Sequence, residues 1–356
     1  MILDRLRLSH WRGYSELDLS FSKGLNLILG NNGEGKTNLV EAIAYLSLAR
    51  SWRTSDDRLL IQSGQSEAGI FASLREGERR KTVGISLTKQ AKKILLNDKP
   101  CRKLSELSSA VNVLVFAPED VSLFLDGPGE RRSCFDVALS KANPEYFSLI
   151  SSCSKLLRQR NLALKAERVD EGLLRVYDEQ MASYEAPIIL ARRAYIDSLN
   201  SVLPTLLSRL RGENASCELV YLPFVKEGEG LLERVKAAHQ QALEGDLLRR
   251  STGVGVHRED IHFRYGDKDV ALYGSQGENR LASLCFKLAP YYLIEDEGKK
   301  PIVVLDDVTS ELDSARVKNL LRLLGEFSQA FVTATRLEVD GASIYDVASH
   351  IATRRN

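Results

Sequence analysis

Gly30-Asn31-Asn32-Gly33-Glu34-Gly35-Lys36-Thr37 is the stretch on which the reading of this chain turns. It fills every fixed position of G-x-x-x-x-G-K-[ST]. Leu25 to Leu29 (LNLIL) before it reads as a buried strand. From Lys36 onward, Val40, Ile43, Ala44 and Ser47 share one face of an amphipathic helix. Strand, glycine-rich turn and helix in that order make a P-loop. Glycines let the backbone curl until several N–H groups face one anion, and the helix start adds its positive dipole end. The stretch therefore reads as an ATP site. Gly30, Asn31, Asn32, Gly33, Glu34 and Gly35 would form the cradle, Lys36 would reach the β- and γ-phosphates, and the Thr37 hydroxyl would ligate Mg2+.

Hydrolysis needs a second element that holds the metal and orients water. Ile302 to Leu305 followed by Asp306-Asp307 fits that need. Asp306 would support Mg2+, and Asp307 would orient or deprotonate the attacking water. Aspartate is one methylene shorter than glutamate, so slow turnover is expected. Most of the chain lies between Lys36 and Asp306, so the nucleotide domain is split by a long insertion. A third element, Tyr273-Gly274-Ser275-Gln276-Gly277-Glu278-Asn279-Arg280, opens a helix whose apolar face includes Leu281, Leu284, Cys285 and Leu288. Lying shortly ahead of the aspartate-tipped strand, it reads as an ABC-type signature. Its Ser275, Gly277 and Glu278 would complete the ATP site of a second copy. A fourth, Ser310-Glu311-Leu312-Asp313, reads either as a D-loop crossing a dimer interface or, at Asp313, as a plain helix N-cap.

Working outward, residues 2–8 and 17–21 alternate apolar and polar as half-buried strands. KTVGISLT and KILL within 68–97 read as short strands between polar turns, and VNVLVF (111–116) is a buried strand stopped by Pro118. After Gly127-Pro128-Gly129 the texture changes. Residues from about 130 to 211 are nearly all helix-forming, with Pro187 and Pro204 expected to kink or break the helices. Strand-like sequence returns near 217–224 and 261–273. Further helices are expected near Ser275 and Ser314, and AFVTAT (330–335) is another strand. The expected organisation is an α/β ATPase head in two parts, 1–127 and 251–356, around an inserted, mainly α-helical arm at 128–250.

Hydrophobic residues at 44% and charged residues at 27% give an ordinary globular balance. No apolar run reaches the ~18 residues of a membrane span. Charges among the apolar residues of MILDRLRLSHWRGY argue against a secretory signal. Five scattered cysteines argue against a disulfide framework or a zinc site and fit a reducing cytoplasm. Nor do His257 and His262 form a ligand cluster. The net charge of +1 conceals an asymmetry: ten Lys/Arg in 75–103 face only Glu76, Glu78 and Asp98. That block is either a phosphate-binding face or a solvated hairpin surface. Arg131-Arg132, with Lys155, Arg158, Arg160, Lys165 and Arg168, would touch DNA phosphates or a partner, or else form a solvated helix face.

The ordered set LRLSHWRGY, GNNGEGKTNLVEAI, FAPEDVSLFLDGPGERRSCFD, LLRQRN, YGSQGENR, LDDVTSELD and FVTAT resembles the RecF family, relatives of Rad50 and SMC heads, over nearly the whole chain. GPGERRSCFD with LLRQRN and YGSQG is far more specific than the P-loop. The resemblance implies a Rad50-like ABC-type head with a short helical arm and ATP-dependent dimerisation. It also implies binding to single-stranded and gapped duplex DNA, and work with RecR and RecO in loading RecA. Arg12 would contact a phosphate as the corresponding arginine does in Rad50-like heads, or else serve as a salt-bridge partner. The chain departs from the pattern with Glu278 where glutamine is usual, Gly13 where asparagine is common and Val256 where proline is expected. FVTAT also lacks a switch histidine.

Two other readings share this chemistry. An SMC/Rad50-like structural ATPase needs very long coiled coils, whereas this insertion is short and lacks sustained heptads. A transporter ATPase subunit would lack the N-terminal strand pair and the helical arm.

Overall fold

The computed structural model describes residues 1–308 and 312–355, apart from the side chain of Ser105. The N-terminal stretch holds β1 (Ile2–Trp11), β2 (Tyr14–Ser20), β3 (Gly24–Leu29), α1 (Lys36–Leu48), β4 (Glu67–Glu76), β5 (Arg79–Thr88), β6 (Lys92–Leu96), β7 (Lys99–Pro100), α2 (Leu104–Ala110) and β8 (Val113–Phe116). The helical stretch follows as α3 (Pro128–Ala142), α4 (Pro144–Leu164) and α5 (Glu171–Arg211), then β9 (Cys217–Leu222) and α6 (Leu231–Arg249). Next come β10 (Asp260–Tyr265), β11 (Lys268–Asp269), α7 (Val270–Tyr273), α8 (Gln276–Tyr292) and β12 (Ile302–Leu305). After them come α9 (Ser314–Gly325), β13 (Gln329–Ala334), β14 (Ser343–Ala348) and β15 (Ile351–Arg354).

Two compact units result. One holds 1–121, 205–214 and the residues from 283 onward; the other holds 122–204 and 215–282. These limits differ from cuts at 127 and 250, because β10, β11, α7 and the first turns of α8 belong with the helices.

The first unit contains two six-stranded sheets, ordered β15-β14-β3-β13-β12-β8 and β2-β1-β4-β5-β6-β7. In the former, β14, β3, β13, β12 and β8 run parallel, and β15 returns antiparallel on the edge. The latter is antiparallel throughout. Helix α1 touches β8, β12 and β13 as well as β1, and one core takes side chains from both sheets. This corrects the expectation of an amphipathic α1. All residues from Leu39 to Ser47 are buried, polar Glu41 and Ser47 included. A helix covered on several sides needs no polar face.

In the second unit, α3, α4, α6 and most of α5 accompany the three-stranded sheet β11-β10-β9. Helix α5 runs 41 residues with Pro187 and Pro204 inside it, so neither breaks it. A lost backbone bond costs about 3 kcal/mol. Burial of Ile188, Ile189, Ile196, Leu199 and Leu203 along the same helix offsets that cost.

Several arginines that sequence leaves between DNA contact and solvated face turn out to be interior. Arg131 grips Asp260 with two hydrogen bonds of 2.8 and 2.7 Å. Fully buried Arg160 reaches Asp178 at 2.5 Å, Asp246 at 2.8 Å and the Thr252 hydroxyl at 2.9 Å. Arg132 donates to the Glu259 carbonyl at 2.5 Å. Buried Arg192 joins Glu259, Asp136, the Tyr146 hydroxyl and the Val256 carbonyl. The specific motifs GPGERR and LLRQRN thus supply cations to a buried ion network that braces residues 252–260.

Candidate nucleotide-binding site

The P-loop bridges the end of β3 and the start of α1. Gly33 and Gly35 take φ of 85° and 109°, a region closed to most side chains. Lys36 is buried, and its ammonium donates to the carbonyls of Gly30 at 2.7 Å and Asn31 at 2.8 Å. Burial lowers its pKa; Asp307, Asp306 and Glu34 work against that fall. The ammonium therefore lies across its own turn, among the backbone groups that would meet phosphates.

One strand away in space, Asp306 stands at the tip of β12, its N–H bonded to the Phe116 carbonyl at 2.9 Å. The Thr37 hydroxyl donates to Asp306 Oδ1 at 3.1 Å, so residues at 37 and 306 do meet. Burial holds the Asp306 carboxyl above the usual carboxylate range despite its hydroxyl partners. A desolvated carboxylate beside a threonine hydroxyl is an oxygen donor set that suits Mg2+. Asp307 follows with φ of 51°, in the left-handed region.

Thr333 was not foreseen. This fully buried residue of β13 donates its hydroxyl to Asp306 Oδ1 at 2.7 Å and accepts the N–H of Asp307 at 2.8 Å. One side chain thus orients both aspartates. The available signal was a hydroxyl residue within the otherwise apolar strand FVTA.

Arg12 forms a bidentate pair with Glu41 of α1, at 2.8 and 2.7 Å, and also donates to the Leu59 carbonyl. Glu41 is fully buried and receives Ser51 at 2.5 Å, with Arg53 3.5 Å away. The salt-bridge alternative for Arg12 is the contact present.

The candidate signature forms a reciprocal cap. Ser275 Oγ accepts the Glu278 N–H at 3.2 Å, and the Glu278 carboxylate accepts the Ser275 N–H at 2.7 Å. Glu278 is thereby turned back onto its own helix start. Gly277 lies in the first turn of α8. Buried Asn279 ties this start to α7 by donating to the carbonyls of Val270, Gly274 and Ser275. Asp313 caps α9, accepting the Arg316 N–H at 2.9 Å. Ser310 and Glu311 lie outside the described residues.

In the basic block, Arg75, Lys81 and Lys92 pair with Asp4, Glu76 and Asp57. Arg79, Arg80, Lys89, Lys93, Lys99, Arg102 and Lys103 are exposed around β5, β6 and β7.

A family profile described as the RecF/RecN/SMC N terminal domain matches residues 2–352. The DNA replication and repair protein RecF of Streptococcus suis (strain 05ZYH33) is 35% identical over 342 residues, covering 95% of this chain and 94% of that protein. A solved structure of the recombination mediator protein RecF with ATP, in the RecFOR pathway, superposes with a TM-score of 0.90 at 32% identity. It covers 99% of this chain and 97% of that one. An Smc head domain from Pyrococcus furiosus shares the fold, with a TM-score of 0.61 at 16% identity, over 99% of this chain and 95% of that one.

Proposed function

The chain belongs to the RecF family within the RecF/RecN/SMC N-terminal-domain proteins, and from that premise we propose that it is an ATP-switched, DNA-binding protein of replication and recombinational repair. The observation that carries the proposal is the meeting of Thr37, Asp306 and Thr333 beside a formed P-loop. Backbone N–H groups of 30–37 and Lys36 hold the triphosphate. Thr37 and Asp306 hold Mg2+, which supplies charge neutralisation at the phosphates. Asp307 orients the attacking water; its short side chain makes hydrolysis slow.

Two copies close on ATP, with Ser275, Gly277 and Glu278 of one and its Asp313 facing the nucleotide of the other. Coupling dimerisation to nucleotide state makes DNA affinity switchable. Exposed basic residues around β5, β6 and β7 give single-stranded and gapped duplex DNA a surface whose affinity falls steeply with salt. RecR and RecO are the expected partners in loading RecA, in the cytoplasm. No described helix is long and apolar enough to cross a membrane. The alternative of an SMC/Rad50-like structural ATPase is disfavoured by the short arm.

Light scattering tests the switch. Wild type should dimerise with ATP and Mg2+, whereas Lys36→Met and Ser275→Arg should stay monomeric. A wild type that is monomeric throughout ends the composite-site reading. ATPase assays with and without gapped DNA test the repair reading, which loses its centre if DNA neither binds nor alters turnover.

A further inference from the structure

The P-loop is gripped from outside its own motif. Strands β14 and β15 are joined by Ser349-His350, with φ of 48° and 61° at the two residues. Paired left-handed residues let a two-residue turn close a hairpin. Here the turn also aims two successive N–H groups at one P-loop residue. His350 N–H donates to the Glu34 carbonyl at 3.0 Å, and Ser349 N–H donates to the Glu34 carboxylate.

The hairpin also fills space that side chains would otherwise occupy. A Cβ on Gly13 would sit 2.0 Å from the His350 ring, and one on Gly35 would sit 2.8 Å from it. A Cβ on Gly30 would sit 2.2 Å from the Val347 carbonyl oxygen. The His350 ring stands edge-on to Tyr14 at 5.7 Å, and the Tyr14 hydroxyl donates to the Gly35 carbonyl at 3.1 Å. Glycine at 13, where the family commonly has asparagine, thus has a steric reason in this chain.

We propose that the β14–β15 turn is a clamp that holds the P-loop in its anion-ready shape before nucleotide arrives, with Glu34 and His350 as positioning residues. The inference deepens the ATP reading of this site and rests on it. A cradle of converging N–H dipoles is unfavourable without an anion, and a loop fixed beforehand loses less entropy on binding. The clamp also assigns Glu34 a role that its charge alone does not explain. A carboxylate near phosphates repels them, so if Glu34 were only a charge, its removal would tighten ATP binding. If it is the catch of a clamp, removal loosens binding.

The test uses the full chain and two readouts. One is amide exchange across 31–36 without nucleotide; the other is the Kd of a fluorescent ATP analogue with Mg2+. Glu34→Ala should speed exchange and raise Kd about tenfold, the loss of roughly one charge-assisted hydrogen bond. Glu34→Gln keeps an acceptor oxygen and should rescue both. Gly13→Ala should mimic Glu34→Ala by displacing the ring, and should add nothing in a His350→Ala background. Unchanged exchange in Glu34→Ala, or a Kd equal to or below that of wild type, overturns the clamp. A wild type that binds no analogue sinks the ATP reading instead, a separate outcome because exchange is read without nucleotide.

Discussion

Thr333 serves two aspartates with one hydroxyl, donating to Asp306 and accepting from Asp307. Thr333→Val keeps the shape but strands a buried N–H and removes a partner from a desolvated carboxylate, costing about 1–3 kcal/mol. Turnover should fall by about fivefold to a hundredfold or more for a shift of that size, with the KM for ATP little changed, and Thr333→Ser should restore it; steady-state ATPase kinetics check this. A large rise in KM at unchanged kcat would assign Thr333 to binding instead. The raised pKa of Asp306 fixes the sign of its pH effect. Stability from its carboxyl is present below the unfolded value of 3.8 and is lost as pH rises through the folded value. At neutral pH the site therefore carries an unrelieved desolvation cost that a bound cation would offset. Lys36, Thr37, Asp306 and Asp307 were legible because spacing and strand context mark them. Thr333 was not, because a hydroxyl in a buried strand announces a partner without naming it.

At the scale of elements, the start of α8 rests on the Ser275–Glu278 cap. Glutamate and glutamine both close such a box. Glu278→Gln should therefore leave thermal unfolding unchanged, while Glu278→Ala should cost about 1 kcal/mol, as calorimetry would read. If Glu278 faces phosphate across a dimer, Glu278→Gln should also strengthen ATP-dependent self-association. Equal association by both proteins would place the charge away from the nucleotide. The positions of β1, β2, β3, β8, β12, β13, α1, α8 and α9 followed from periodicity and turn residues, whereas α6, β14 and β15 were not singled out. Sequence failed where burial overrode local pattern. Leu39 to Ser47 is covered around its circumference, more than the one face of Val40, Ile43, Ala44 and Ser47 foretold, and α5 passes through two prolines because its buried face outweighs two missing hydrogen bonds. Four residues expected as strand, Val270–Tyr273, form α7 instead because the Asp269 side chain caps them, accepting the Ala271 N–H.

At the scale of the molecule, the helical unit is organised by charge it has buried. Arg160, Arg192 and Arg131 neutralise Asp178, Asp246, Glu259 and Asp260, and His257 lies beside this network with burial lowering its pKa below 6.5. The folded unit keeps that ring neutral while the unfolded chain takes up a proton. The stability it contributes is thus present above 6.5 and lost as pH falls through the folded value. Urea titrations followed by helical circular dichroism should show an unfolding free energy that drops from neutral pH toward about 5, by at most about 1.4 kcal/mol per pH unit for this group. His257→Gln should flatten that drop, and an identical pH profile would clear the histidine. None of this network was readable beforehand, because LLRQRN and GPGERR look like solvated basic helix until their acidic partners, encoded far along the chain, are brought in. The same remoteness governs the nucleotide sheet. Both neighbours of β3, namely β13 and β14, are encoded beyond the arm. A ribosome that has released the P-loop has therefore released a strand with no sheet to join. The strand that leads into the ATP cradle is synthesised well before either of its sheet neighbours, and long-range pairing of this kind makes for slow folding.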